Sequence, residues 1–531
     1  MSLPNPYTSA AARDWDIRDG RMLEGPRVLE TDVAIIGSGA GGGTAAELLA
    51  QAGFRVIILE AGPLVDQRQF RMNEAESYPL LYQEGMSRTT SDGAIAIMQG
   101  RTVGGSTTVN WTSSFRTPDK TLDVWSERGV KSVTPADMKP WFEDRERRLN
   151  IKPWGAPPNR NNALLGEGCE KLGWEWGIIP RNVKGCWDLG YCGMGCPTNA
   201  KQSMLVTTLP GALAHKATLL TNSGVERLDW AGDQVRAIQV QPRHPETHRP
   251  EGAPFEVRAR HVVLAASALG SPLVLLKSQA PDPYGVLGTR TFLHPVNAIL
   301  AQMPEKVEPY YGAPQSIYSD EFVWRDGVHG RMGFKLEVPP LHPSLTAGVS
   351  SLHGQRLTRW MKALPNMHSV LALMRDGFHE DSPGGRVGIR KDGGPALDYP
   401  LNDYLWEGVR EAWLRMGEVA FAAGARVIHP IHLSADEYRS WREYEAAIRA
   451  LPMRAHQVRL FTAHQMGGCP MGEDPRSSVV DSYGRHHQLR NLTVMDASVF
   501  PTSLGANPQL TVYALAARNT HALINALQGS G

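Results

Sequence analysis

The clearest pattern along this chain lies near its start, where Val33, Ala34, Ile35 and Ile36 form an unbroken apolar run. Such a run, rich in β-branched side chains, suits a strand buried on both faces of a parallel sheet. Gly37, Gly39 and Gly42 follow, residues 44–52 read as a helix built on small side chains, and 54–59 returns to an apolar strand that ends at Glu60. Further along, 219–225 and 235–240 alternate like antiparallel strands, and 261–266 is again an apolar strand. That strand leads to a helix over 269–278, started at Ser271-Pro272. The pattern also predicts helices over 10–17 and 135–148, strands over 370–374 and 491–495, and a terminal helix from Pro508. No internal repeat or low-complexity tract interrupts it.

The strand, glycine turn, helix, strand and acid of 33–60 are in register for a dinucleotide site. Gly37 permits the tight turn, Gly39 lets backbone approach a pyrophosphate, and Gly42 allows close helix–strand packing. The helix N-terminus offers unpaired N–H groups to phosphates, and Glu60 is placed to accept from an adenosine ribose. A glycine triplet alone is a common turn; the complete unit predicts dinucleotide binding.

At 531 residues the chain exceeds what a single core organises, so two domains are expected. Lys and Arg number 55 against 54 Asp and Glu, which gives no electrostatic case for nucleic acid. No apolar run approaches a transmembrane length, residues 1–27 show no signal-type core, and five cysteines are too few for a disulfide scaffold. The expected compartment is the cytoplasm, with a periplasmic or membrane-peripheral location through a partner subunit as the alternative.

Three further segments decide between cofactors. Residues 100–110, with Gly104, Gly105, Ser106 and Asn110, form a second glycine-rich turn. Residues 265–272 run Ala-Ala-Ser-Ala-Leu-Gly-Ser-Pro, and 491–498 is followed by Asn507-Pro508-Gln509-Leu510-Thr511-Val512. In this order, over nearly the whole chain, the segments resemble the glucose–methanol–choline (GMC) flavin oxidoreductases, nearest their long-chain alcohol oxidase and dehydrogenase branch. Ser267 stands where that family usually has glycine. The resemblance implies an α/β fold. A discontinuous Rossmann-like FAD-binding domain (28–118, 186–295 and 456–531) joins a substrate domain (119–185 and 296–455) whose antiparallel sheet is covered by helices. Residues 1–27 are an extension. It implies FAD as cofactor, with the turn at 100–110 around the pyrophosphate and flavin edge, and Asp496 on the ribityl and phosphate region. The bland reading of Asp496 is a cap for the turn that follows it. Asn507 and Pro508 read as N-cap and first position of the terminal helix, whose positive end would favour negative charge on a reduced flavin.

Oxidising an alcohol means removing the hydroxyl proton and moving the α-hydrogen as hydride to flavin N5. His464 resembles the family's catalytic histidine and is the expected base; Asn507 is the expected donor to the alcohol oxygen, since an amide cannot take up a proton. His294, in Leu293-His294-Pro295, is expected to be structural, and His486 and His487 to sit in a solvated turn. Cys186, Cys192 and Cys196 allow two readings: packing thiols, or ligands of an iron–sulfur cluster as in sugar dehydrogenase subunits of this family; Cys169 and Cys469 read as core. The leading expectation is oxidation of a hydrophobic or long-chain alcohol, with oxygen, a quinone or a redox protein reoxidising the flavin. A lyase of hydroxynitrile-lyase type and a sugar or polyol dehydrogenase with an iron–sulfur relay are the alternatives.

Overall fold

The computed structural model describes residues 3–25 and 27–529. Residues 1, 2 and 26 of the expected extension, and 530–531 of the expected last segment, lie outside the described residues. The chain builds two large sheets. The first runs Asp16–Asp19, Thr218–Thr221, Val56–Leu59, Val28–Ile36, Phe255–Leu264, Gln234–Pro242, Ser223–Ala231, and Leu492–Val494 also pairs with Phe255–Leu264. Its first five strands and Leu492–Val494 are parallel; the last two form an antiparallel ribbon. This is the Rossmann-like α/β unit expected, with Val33, Ala34, Ile35 and Ile36 buried at its centre.

Helix Ala40–Gln51 packs on the terminal helix Gln509–Gly529, and both lie against the first sheet's core. The approach is close because of small residues. A Cβ on Gly42 would overlap the Gly37 carbonyl, and one on Gly41 the Met495 carbonyl.

The second sheet runs Ile95–Ile97, Leu460–Thr462, Val296–Gln302, Met367–Met374, Phe334–Glu337, Ile317–Ser319, Gly177–Ile178, with Val427–Pro430 beside Val296–Gln302. All its pairings are antiparallel except that of Ile95–Ile97 with Leu460–Thr462. Alternation divides its two faces. Val370, Ala372 and Met374 enter a core with Trp413 and Ala420 of helix Asp403–Ala422, whereas Leu371 and Leu373 point the other way.

Several local expectations are corrected. The segment 10–17 is a 3₁₀ turn Ala10–Asp14 followed by a strand, not one helix. The first helix starts at Ala40, so its glycines lie within its first turn. Segment 219–225 is two strands broken at Asn222 (φ 54°), the first of them parallel to its neighbours. Helix Ser267–Lys277 begins before Ser271-Pro272, and the terminal helix begins at Gln509 rather than Pro508. His486 is buried, its Nδ1 accepting from the N–H groups of Gln488 and Leu489. Among the described residues no helix is long and apolar enough to cross a membrane.

Candidate active site

One cavity of roughly 1170 Å³ runs between the two sheets. It exceeds the usual range for a small-ligand pocket and suits a dinucleotide with a second molecule beside it. Its lining includes Glu60 at the tip of strand Val56–Leu59 with Arg101 and His248, and Gly37, Gly39, Gly105, Ser106 and Asn110 of the two glycine turns. From the second sheet it takes Leu371, Leu373 and Phe461, with His464 just beyond strand Leu460–Thr462 and Asn507 bonded to Glu337 of strand Phe334–Glu337. Asp496 and Pro508 also face it, whereas Gly42 and Gly104 do not. Gly42 serves helix packing, and Gly104 (φ 88°) donates its N–H to Ser38 Oγ at 2.9 Å.

The first glycine turn is tied to the second through Ser38 Oγ, which accepts from Gly104 N–H and donates to Glu60. The Glu60 carboxylate accepts from the N–H (3.1 Å) and Oγ (2.6 Å) of Ser38, and from Gly62 N–H (2.8 Å). Burial pushes its pKa up, opposed by these bonds. Helix Ala40–Gln51 has no side-chain cap, so its first N–H groups open on the cavity. Gly39 and Gly105 face each other there: a Cβ on Gly105 would sit 3.0 Å from Gly39 Cα. Arg101 is buried beside Glu60 with Nη2 unpartnered, and burial lowers its pKa to about 10. An uncapped helix end, a Cβ-free cradle and an orphaned guanidinium nitrogen are what a pyrophosphate-containing dinucleotide requires.

Asp496 spends its oxygens on Ser267 N–H (2.8 Å), Ser271 Oγ (2.5 Å) and Ser498 N–H (2.8 Å), capping the turn that follows while facing the cavity. Ser267, at the position expected to prefer glycine, is left-handed (φ 72°) and its Oγ meets Gln99 Nε2. Asn110 is held by Gln509 Oε1 at 2.7 Å and accepts from Thr112 N–H.

Beside the second sheet, His464 follows the strand Leu460–Thr462 and donates its N–H to Thr462 Oγ1 at 3.0 Å. Burial lowers its pKa to about 4. His294, expected to be structural, reaches it: the two Nδ1 atoms are 3.2 Å apart. Asp376 fixes the His294 turn (φ 42°) by accepting from the N–H groups of Leu293 and His294 and from Tyr399 Oη. Asn507, 3% exposed, does not cap the terminal helix. Its Nδ2 donates to Glu337 Oε2 at 3.3 Å, and Asn507 Oδ1 and Glu337 Oε1 have no partner. Burial raises the Glu337 pKa to about 7, against the charge of Lys335. Glu337 went unrecognised in the sequence; the one available signal was two charged residues, Lys335 and Glu337, on one face of an otherwise apolar strand.

The cysteine loop packs behind this site. Lys201 Nζ donates to the carbonyls of Thr108 (2.9 Å), Asn110 (2.6 Å) and Cys192 (2.7 Å), and burial lowers its pKa to about 8. Cys186, Cys192 and Cys196 are free and half-buried. Among the described residues no three His, Cys, Asp or Glu side chains are grouped to hold a metal ion.

Fold and cavity together define an α/β protein with a Rossmann-like sheet, a second antiparallel sheet and a dinucleotide-sized cavity between them. The chain belongs to the GMC oxidoreductase family: models of that family match residues 78–296 and 382–516, and an NAD(P)-binding Rossmann-like model matches 35–65. This makes it an oxidoreductase acting on CH–OH groups, with FAD as its cofactor. An uncharacterized GMC-type oxidoreductase of Mycobacterium tuberculosis is 31% identical over 516 residues, spanning 96% of this chain and 78% of the relative. A long-chain-alcohol oxidase of Arabidopsis thaliana is 28% identical over 513 residues, spanning 92% and 68%. The crystal structure of pyridoxine 4-oxidase from Mesorbium loti superposes with a TM-score of 0.68 at 19% identity, covering 92% of this chain and 98% of that one.

Proposed function

We propose that this protein oxidises a hydrophobic, long-chain alcohol to its carbonyl compound, with His464 as the base that takes the hydroxyl proton and Asn507 as the partner of the alcohol oxygen. The observation that carries the reading is the cavity's division of labour. Its phosphate-type features come from the turns that follow strands of the first sheet, while His464 and Asn507 share the lining with apolar side chains of the second sheet. Gly37, Gly39, Gly105 and Ser106 would hold FAD through backbone, Glu60 and Arg101 its adenosine side, and Asn110, Asp496 and Pro508 its flavin half. FAD, when bound, supplies the hydride acceptor. Val296, Leu371, Leu373 and Phe461 offer the chain's own apolar surface to an alkyl tail. The similarity to long-chain-alcohol oxidases supports the same class.

On this reading 28–118, 186–295 and 456–531 form the cofactor domain, and 119–185 with 296–455 the substrate domain. Strands Ile95–Ile97 and Leu460–Thr462 reach from the first into the second sheet. A series of primary alcohols from ethanol to hexadecanol tests the substrate class: kcat/KM rises with chain length if the wall binds the tail. A flat series, or a preference for polyols, contradicts it.

A further inference from the structure

We propose that Lys201 and Arg181, two buried cations behind the cavity wall, are positioning residues of the flavin half of the site. They hold segment 108–112 and supply the positive charge that favours reduced flavin over oxidised. This rests on the reading that sets the flavin half beside Asn110, and it does not depend on which alcohol is oxidised.

The bonding of Lys201 requires its charged form. Its Nζ donates to three carbonyls, those of Thr108 (2.9 Å), Asn110 (2.6 Å) and Cys192 (2.7 Å). A neutral amine has hydrogens for two of them, an ammonium for all three. Arg181 is charged at any working pH. Its Nε donates to Thr112 Oγ1 at 2.7 Å and its Nη2 to the Trp111 carbonyl at 3.2 Å, while the guanidinium lies 5.0 Å from the centre of the Trp154 ring. Both side chains are buried, and Arg181 Nη1 has no partner.

Among the described residues neither cation is paired with a carboxylate. Lys201 faces Arg181 and the thiols of Cys186, Cys192 and Cys196. Two like charges buried together oppose folding unless a ligand offsets them. Both are bonded to one stretch of backbone, in which Asn110, Trp111 and Thr112 line the cavity, so the charge lies one layer of backbone behind the wall. In a trans peptide the N–H runs antiparallel to the carbonyl. Holding the Asn110 carbonyl on Lys201 therefore turns the Trp111 N–H away from Lys201, and that N–H has no partner within the described protein.

In the oxidation, the alcohol C–H bond breaks with its electron pair passing to FAD, and the hydroxyl proton goes to His464. A neutral flavin ring gains one negative charge by this. Positive charge already fixed behind the wall stabilises it without rearrangement. The FAD pyrophosphate is the other anion available, and the test separates the two.

The test uses flavin-loaded protein at pH 7, reduced against a reference dye with no alcohol present. Lys201→Gln and Arg181→Gln keep amide donors and drop the charge; Arg181→Lys keeps the charge. In each Gln variant the ratio of reduced to oxidised flavin at a fixed potential falls at least tenfold, about 30 mV for a two-electron couple. Oxidised FAD binds all three variants within threefold of the unsubstituted protein, and the potential of Arg181→Lys stays within the same limit. Potentials unchanged in the Gln variants overturn the proposal; if oxidised FAD then binds more weakly, the charges belong to the pyrophosphate. Loss of FAD from both Gln variants overturns it as well, since charge serving the reduced ring is not needed to hold the oxidised cofactor. If Lys201→Gln alone loses FAD, the Arg181 pair decides. Asn110→Ser tests the underlying reading separately: it shifts the absorbance bands of the bound flavin, and bands that stay in place remove the placement beside Asn110 rather than the charge argument.

Discussion

Asn110 donates from Nδ2 to Gln509 Oε1 at 2.7 Å across 399 residues of sequence, joining the second glycine turn to the first residue of the terminal helix. Gln509 also donates to Ser113 O (2.7 Å) and Ser114 Oγ (2.8 Å), and accepts from the buried Tyr513 hydroxyl. Gln509→Leu leaves these groups without partners, each costing about 1–3 kcal/mol when buried. Some relaxation is expected, so a net loss of roughly 2–4 kcal/mol should appear in urea unfolding, together with weaker FAD retention. A stability within 0.5 kcal/mol, on the order of an ordinary surface substitution, would show that this junction carries little.

The glycines of the first turn separate folding from cofactor binding. At Gly39 an added Cβ meets nothing nearer than Gly105 Cα at 3.9 Å, and the backbone (φ −70°) accepts alanine. Gly39→Ala should fold as apoprotein with an unchanged melting temperature yet lose FAD affinity by tenfold or more. Gly41→Ala drives a Cβ into the Met495 carbonyl and should fail to fold, costing more than about 4 kcal/mol. Gly43→Ala brings its Cβ to 3.0 Å from Met204 Cβ and Cγ and from Thr208 Oγ1, so a neighbour must shift by a few tenths of an ångström, and it should destabilise less than Gly41→Ala. Soluble yield, thermal melting and flavin content of the three variants check the order.

Stability should depend on pH in two opposed ways. Glu337 holds a proton in the native protein up to about pH 7, whereas the unfolded chain releases it near 4.5. The native state therefore binds more protons between these values, and this group's contribution falls as pH rises across the window, by roughly 3 kcal/mol. Glu337→Gln lacks that loss, so the stability of the variant relative to the unsubstituted protein should grow from pH 5 to pH 8.

The buried histidines act in the other direction. His261, His429, His464 and His486 are held down to about 4 and His368 to about 3, all chiefly by burial. Unfolding lets them take up protons below about 6.5, so stability is lost as pH falls from there toward 4. Melting temperatures between pH 7 and pH 4 should drop steeply on the acid side.

What could be read in the sequence was local. The helix Pro135–Arg148 appears with the expected bounds because its start signal, a Thr134/Asp137 capping box with Pro135 at the first position, lies within four residues. The strand and glycine turn at 33–42 were legible for the same reason. The parallel pairing of Thr218–Thr221, the burial of His486 and the contact of His294 with His464 depend on partners far along the chain. Asn507 shows the limit most clearly. Asn before Pro is a good helix cap in isolation, but its amide is taken by Glu337, 170 residues away.

The central claim is that an alcohol bound between His464 and Asn507 delivers hydride to FAD, and anaerobic titration of the flavin-loaded protein with a long-chain primary alcohol tests it most directly. The account predicts bleaching of the oxidised flavin bands with a stoichiometric yield of aldehyde, slowed at least a hundredfold in His464→Ala. A flavin that stays oxidised with every alcohol, in protein that retains its FAD, would contradict it.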